Sequence, residues 1–142
     1  MINVLIADDH AGVRRGMIEI MKAEVKDVVC VEAEYADQAV AQLQIHRWNL
    51  IILDIAMLGR SGIDLLRDLE RAQPGIAVLV LSTYPEDQLG KRVLKAGARG
   101  YLNKASGPEE LVKAIRKILA GGRYISSAHA DKLVPELQQV PD

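Results

Sequence analysis

Five times along the chain, a short run of apolar, largely β-branched residues gives way to a segment whose apolar residues recur at helical spacing. The runs are INVLIA (2–7), VVCVEA (28–33), LIILD (50–54), AVLVLS (77–82) and GYL (100–102). The central ones lack the alternation of a strand with one wet face, so both of their faces are expected to be buried. Helical spacing links Val13, Met17, Ile20, Met21 and Val28, then Val40, Leu43 and Arg47, then Leu65, Leu66 and Leu69. It resumes in Leu89, Val93 and Leu94, and in Leu111, Val112, Ile115 and Leu119. Strand-then-helix in steady repetition predicts an α/β fold, a doubly wound, five-stranded parallel sheet with helices on both faces.

Punctuation agrees with this. Asp37 is placed to cap the second helix, and Ser106–Glu109 (SGPE) reads as a capping box with Pro108 in the first turn. Gly121 and Gly122 end the fifth helix. The predicted domain covers 1–126. Residues 127–142, with a short helical stretch near Pro135, have too few apolar residues for a second core and read as a linker or tail. At 142 residues and 49% hydrophobic content, one core is expected. Eighteen Lys and Arg against nineteen Asp and Glu leave a formal charge of -1, which gives no electrostatic case for nucleic-acid binding. Cys30 is the single cysteine and has no disulfide partner within the chain, so it reads as a small core residue in a reducing compartment. No apolar run approaches the roughly 18 residues of a membrane span, so a cytoplasmic protein is expected.

In an open parallel sheet, ligands bind beyond the carboxyl ends of the strands. The first run stops at Asp8 and Asp9, the third at Asp54, the fourth at Ser82 and Thr83, and Lys104 lies two residues past Leu102. If those strands are neighbours, three carboxylates, a hydroxyl and an ammonium converge on one edge. Adjacent carboxylates repel unless a positive charge intervenes. Three of them suit a hard divalent cation such as Mg²⁺, which also binds phosphate oxygens. With only His10 nearby and no cysteine, zinc and copper are disfavoured. A strand-end carboxylate is also a competent nucleophile toward phosphorus, forming an acyl phosphate. Asp54 is the candidate, with Lys104 and Ser82 interacting with the phosphoryl oxygens. His10 reads as a helix-capping or solvent-facing residue, and Arg14 and Arg15 as a solvated helix face.

These residues, within LIADDH, LIILDIAMLGRSGIDLL, VLVLS and VLKAGARGYLNKASGPEELVKAIRKILAGGRYIS, resemble the receiver domain of bacterial two-component response regulators. The closest likeness is to the subgroup whose receiver precedes a LuxR-type (NarL/FixJ-like) helix-turn-helix domain. The resemblance covers Ile2 to about Ser127. It implies that Asp54 accepts a phosphoryl group from a sensor histidine kinase. Asp8, Asp9, Asp54 and the Ala56 carbonyl are then the Mg²⁺ ligands, Lys104 pairs with the phosphoryl group, and Ser82 is the switch hydroxyl. Tyr101 takes the place of the aromatic switch residue, a reading compatible with a half-buried aromatic on a short edge strand. It further implies dimerisation on phosphorylation and DNA binding only through a C-terminal helix-turn-helix domain, for which no pattern follows Ser127. The output surface is expected among residues 86–96, 100–102 and 108–120.

Two departures stand out. Met57-Leu58 replaces the usual Met-Pro, removing a residue that fixes φ, and Thr83 is bulkier than the alanine or glycine often found there. Three rival functions were weighed. A phosphohydrolase of related architecture is disfavoured because Ala56 stands where the acid/base carboxylate is needed. A nucleotide- or flavin-binding module is disfavoured because no glycine-rich phosphate loop follows the first strand. The third is a receiver that folds and pairs without phosphorylation.

Overall fold

A computed structural model of the chain describes residues 1–56, 62–83 and 86–125, apart from the side chains of 62, 86–89 and 125. In order, the elements are β1 (Ile2–Ala7), α1 (Ala11–Glu24), β2 (Val28–Ala33), α2 (Ala36–Ile45), β3 (Leu50–Asp54) and α3 (Gly62–Ala72). They continue with β4 (Val78–Ser82), α4 (Glu86–Lys95), β5 (Gly100–Asn103), α5 (Pro108–Leu119) and β6 (Tyr124–Ile125). The strands are parallel, in the order β2-β1-β3-β4-β5-β6. The five expected strands form the sheet, and β6 is an addition. It pairs Tyr124 with Gly100 and Ile125 with Tyr101, and two residues are too few to leave a periodic signal.

The interior strands lack alternation because each serves two cores. Leu5, Ile51, Leu53 and Val80 face Leu43 of α2, Leu65 and Leu69 of α3, and Val93 of α4. Val4, Ile6, Ile52 and Leu79 face Met17 and Met21 of α1 and Leu111, Ile115 and Ile118 of α5. Each such side chain contributes about 1.5–3 kcal/mol relative to exposure. Gly100 is required by close packing, since a Cβ there would meet Ile118 Cδ1 at 2.9 Å and the Tyr124 carbonyl at 3.0 Å.

Several local expectations are corrected. The N-cap of α2 is Tyr35, not Asp37, which sits in the first turn. The Gln38 side chain instead accepts hydrogen bonds from the N–H groups of Glu34 and Tyr35, at 2.8 and 3.2 Å. The Ser106–Glu109 capping box does not form. The N-cap of α5 is Gly107, and Pro108 opens the helix. Val28 belongs to β2 and Arg47 follows α2, because both helices end earlier than the periodicity ran. Val13 is exposed. Cys30 is only partly buried, since β2 is an edge strand. Burial pushes its thiol pKa up while Lys22 opposes the rise, as suits an unreactive thiol. The glycine stop holds: Gly121 takes φ +94°, with its N–H on Ile118 O and that of Gly122 on Lys117 O. Residues 57–61, including Leu58, and 126–142, including Pro135, lie outside the described residues.

Two side-chain clasps hold the ends of the sheet. Gln73 donates to the carbonyls of Leu43 and His46 at the end of α2 and accepts from Trp48 N–H at 3.2 Å. It thereby satisfies carbonyls that the ending helix leaves without partners. Gln73→Ala is expected to destabilise the chain by about 2 kcal/mol in urea unfolding. At the other clasp, the Tyr124 hydroxyl donates to Glu110 Oε1. Burial and the Glu110 carboxylate push the Tyr124 pKa from 10.0 up to about 12. The protonated phenol is the bonded form, so its stabilisation is complete below pH 10, the ordinary value, and fades as pH rises through about 12. Over that window, wild type should lose more stability than Tyr124→Phe.

Candidate functional site

The strand order creates the site. From β1 the chain crosses through α1 to β2 on one side, whereas β3 leads to β4 on the other, so the connections part and leave a crevice at the carboxyl ends. Asp8 follows β1, Asp54 ends β3, Ser82 ends β4 and Lys104 follows β5. Those four strands are consecutive neighbours, the condition on which the expected cluster depended.

Asp8, Asp54 and Ser82 are the buried polar side chains among the described residues. Lys104 Nζ lies 2.9 Å from Asp54 Oδ2 and 2.8 Å from Asp8 Oδ2, with its side chain 13% exposed. The first contact is an aligned hydrogen bond, while the second is an ion pair without that alignment. Burial pulls the Lys104 pKa down, but contact with the two carboxylates and their charge outweighs it, so the pKa lies above the ordinary lysine value. Lys104 is therefore a cation at neutral pH. Asp54 Oδ1 accepts the Ala56 N–H at 3.0 Å, and Asp8 Oδ1 accepts the His10 N–H at 2.8 Å. The Lys104 N–H donates to the Ser82 carbonyl at 2.9 Å, tying the ends of β4 and β5 together.

Asp8, Asp9, His10 and Asp54 each bring one ligand atom within 4.8 Å of the others. Asp8 Oδ2 and Asp9 Oδ1 are buried without an aligned hydrogen bond, the first held by its ion pair with Lys104 and the second 2.9 Å from His10 Nδ1, so both retain acceptor capacity. Lys104 pairs with two of the three carboxylates, Asp8 and Asp54, while Asp9 faces His10. Such oxygen-rich, negatively charged surroundings fit a hard divalent cation.

His10 occupies the N-cap of α1, but its side chain makes no capping bond. The ring is 64% exposed and sets Nδ1 3.0 Å from Asp8 Oδ1 and 2.9 Å from Asp9 Oδ1. Tyr101 is fully buried rather than half-buried, and β6 makes its strand internal. A Cβ on Gly90 of α4 would lie 3.4 Å from the Tyr101 ring, so the ring packs directly on that helix. Arg15 is exposed as expected. Arg14 is not. Its side chain is 11% exposed, donating to the Asp8 carbonyl at 2.6 Å and to Glu32 Oε1 at 2.9 Å. A signal for this existed, since Arg14 precedes Met17 by three residues and Met21 by seven, on the helix stripe facing the sheet.

Residues 4–116 match the response regulator receiver domain. The chain belongs to this family. This receiver is 37% identical over 134 residues to response regulator GacA of Pseudomonas aeruginosa, covering 94% of this chain and 62% of GacA. It is 35% identical over 134 residues to response regulator UvrY of Escherichia coli, covering 94% of this chain and 61% of UvrY. The chain thus spans about six-tenths of the length of these relatives. Among solved structures, it is similar to the isolated REC domain of RcsB from Salmonella enterica serovar Typhimurium. That match has 26% identity and a TM-score of 0.84, over 93% of this chain and 98% of that one. A LuxR-family two-component response regulator from Aurantimonas sp. SI85-9A1 matches with 28% identity and a TM-score of 0.85, over 96% and 98%.

The excess of carboxylates has a measurable consequence. Asp9→Asn should raise the melting temperature in metal-free buffer by about 3 °C, equivalent to about 1 kcal/mol. A divalent cation such as Mg²⁺, at a hundredfold excess over its Kd, should stabilise wild type by about 2.7 kcal/mol, and the same variant should lose most of that gain.

Proposed function

We propose that the chain is a phosphorylation-controlled receiver in which Asp54 accepts a phosphoryl group from the phosphohistidine of a sensor kinase. The observation that carries this reading is the Lys104 ammonium held between Asp8 and the buried Asp54. An Asp54 carboxylate oxygen attacks phosphorus, an O–P bond forms, and the N–P bond of the donor breaks with its electron pair returning to the imidazole. Asp54 already has one oxygen oriented by the Ala56 N–H and the other by Lys104. As the acyl phosphate forms, Lys104 transfers its contact from the carboxylate to a phosphoryl oxygen, and the Ser82 hydroxyl donates to another. Asp8, Asp9, Asp54 and the Ala56 carbonyl are the residues that would hold Mg²⁺, which when bound supplies positive charge to the phosphoryl oxygens.

Exchange of the Lys104 and Ser82 contacts alters the ends of β4 and β5, next to buried Tyr101. We assign Ser82 and Tyr101 as the switch pair, biasing a two-state equilibrium that is read by a second receiver or an output domain. Transcriptional control by a dimer, with DNA contacted through a helix-turn-helix domain, is the output we propose, and likeness to RcsB, described as dimers bound to DNA, supports it. A cytoplasmic setting accords with this role, and no helix among the described residues is long and apolar enough to cross a membrane. The rival reading, pairing without phosphorylation, draws on the unusual Leu58, which lies outside the described residues, and on the fact that complete acceptor chemistry does not prove its use. The buried, oriented Asp54 favours phosphorylation.

Incubation with a small-molecule phosphodonor and Mg²⁺ should add one phosphoryl group by intact-mass measurement. Asp54→Asn should abolish the gain, and Lys104→Ala should slow it about a hundredfold. Equal labelling of wild type and Asp54→Asn would refute the assignment.

A further inference from the structure

We infer that Arg14 is a positioning residue for the cation corner, its guanidinium holding the start of the Asp8-Asp9-His10 turn and thereby setting divalent-cation affinity. Its guanidinium donates to the Asp8 carbonyl at 2.6 Å, while the His10 carbonyl at the other end of the turn takes the first backbone hydrogen bond of α1, at 3.1 Å, which any side chain at this position leaves in place. The turn between those two carbonyls carries three of the four residues whose ligand atoms cluster. Pairing of β1 with β2 ends at Ala7 and Ala33. The Asp8 N–H still reaches the Ala33 carbonyl at 3.1 Å, but the strand ladder no longer serves the Asp8 carbonyl. Arg14 supplies that partner. The Asp8 carbonyl belongs to the peptide linking Asp8 to Asp9, so fixing it fixes the plane that carries the Asp9 N and Cα. Glu32, on β2, accepts from Arg14 Nε at 2.9 Å and holds the guanidinium in register. One planar side chain thus joins β1, α1 and β2 behind the acidic pair, a task for the guanidinium fork that an ammonium meets only in part.

The sign of the effect separates positioning from electrostatics. Deleting a positive charge beside an acidic site would by itself tighten cation binding, whereas loss of the clasp weakens it. The inference rests on the divalent-cation reading of the site, and the experiment keeps the two apart. Mg²⁺ binding is measured by titration calorimetry for wild type, Arg14→Lys, Arg14→Ala and Glu32→Gln, together with the Mg²⁺ dependence of phosphorylation by a small donor. We expect Arg14→Ala to raise the Mg²⁺ Kd about tenfold or more, as for other partners that orient metal ligands. Arg14→Lys should be intermediate and Glu32→Gln milder. The Mg²⁺ concentration for half-maximal phosphorylation should move with Kd, while the rate at saturating Mg²⁺ stays within about twofold of wild type. Unchanged or tighter binding in Arg14→Ala overturns the inference, as does a lower saturated rate without a shift in half-saturation. Should Arg14→Ala not fold, Arg14→Lys decides by the same criteria. Absence of Mg²⁺ binding in wild type overturns the cation reading, and this inference with it.

Discussion

The ion pairs of Lys104 with Asp8 and Asp54 are the contacts on which the rest of the site depends. Two carboxylates buried within reach of each other repel and lose hydration, and neither cost is tolerable without a cation between them. Lys104 supplies it from the end of β5, two strands away from β3 and three from β1. The sheet must therefore hold four strand ends in register for the acids to remain paired and oriented. One ammonium against three acids leaves the corner short of positive charge. That shortage leaves room for a divalent cation, and on the proposed reading an arriving phosphoryl group would draw Lys104 away from the carboxylates.

The same register carries the signal outward. Ser82 closes β4 at the site, its carbonyl is bonded to the Lys104 N–H, and Tyr101 lies buried on the next strand against Gly90 of α4. β6 then pairs with Gly100 and Tyr101, while Tyr124 anchors to Glu110 on α5. A change at the strand ends is thus in packing contact with α4, α5 and the last described strand. The side of the sheet under α2 and α3 is instead fixed by Gln73 and Trp48 at the opposite ends of the strands.

Much of this was legible in the sequence, for physical reasons that differ by element. β1, β3 and β4 declared themselves because burial on both faces demands continuous apolar runs, and Met17, Met21, Leu111 and Ile115 because one helix stripe must meet the sheet. Asp8, Asp9, Asp54, Ser82 and Lys104 stood out because each interrupts or follows such a run. Local signals misled where several residues compete for one task. Gln38 bonds the start of α2 in place of Asp37, and Gly107 displaced Ser106 as the start of α5. Arg14 was misread because a charged side chain is usually solvated, although its place on the helix stripe pointed inward.

By itself, the sequence determined the class of fold, the succession of strands and helices, and the chemical types at the strand ends, because periodicity and burial are local consequences of residue order. Tertiary structure alone decided that β1, β3, β4 and β5 lie side by side, that Lys104 sits between Asp8 and Asp54, and that Arg14 holds the turn behind them. The first two join groups that the chain separates by up to about a hundred residues, and only strand order and register bring them within bonding distance, whereas Arg14 lies six residues from Asp8 and is directed by the packing of α1 beside β2.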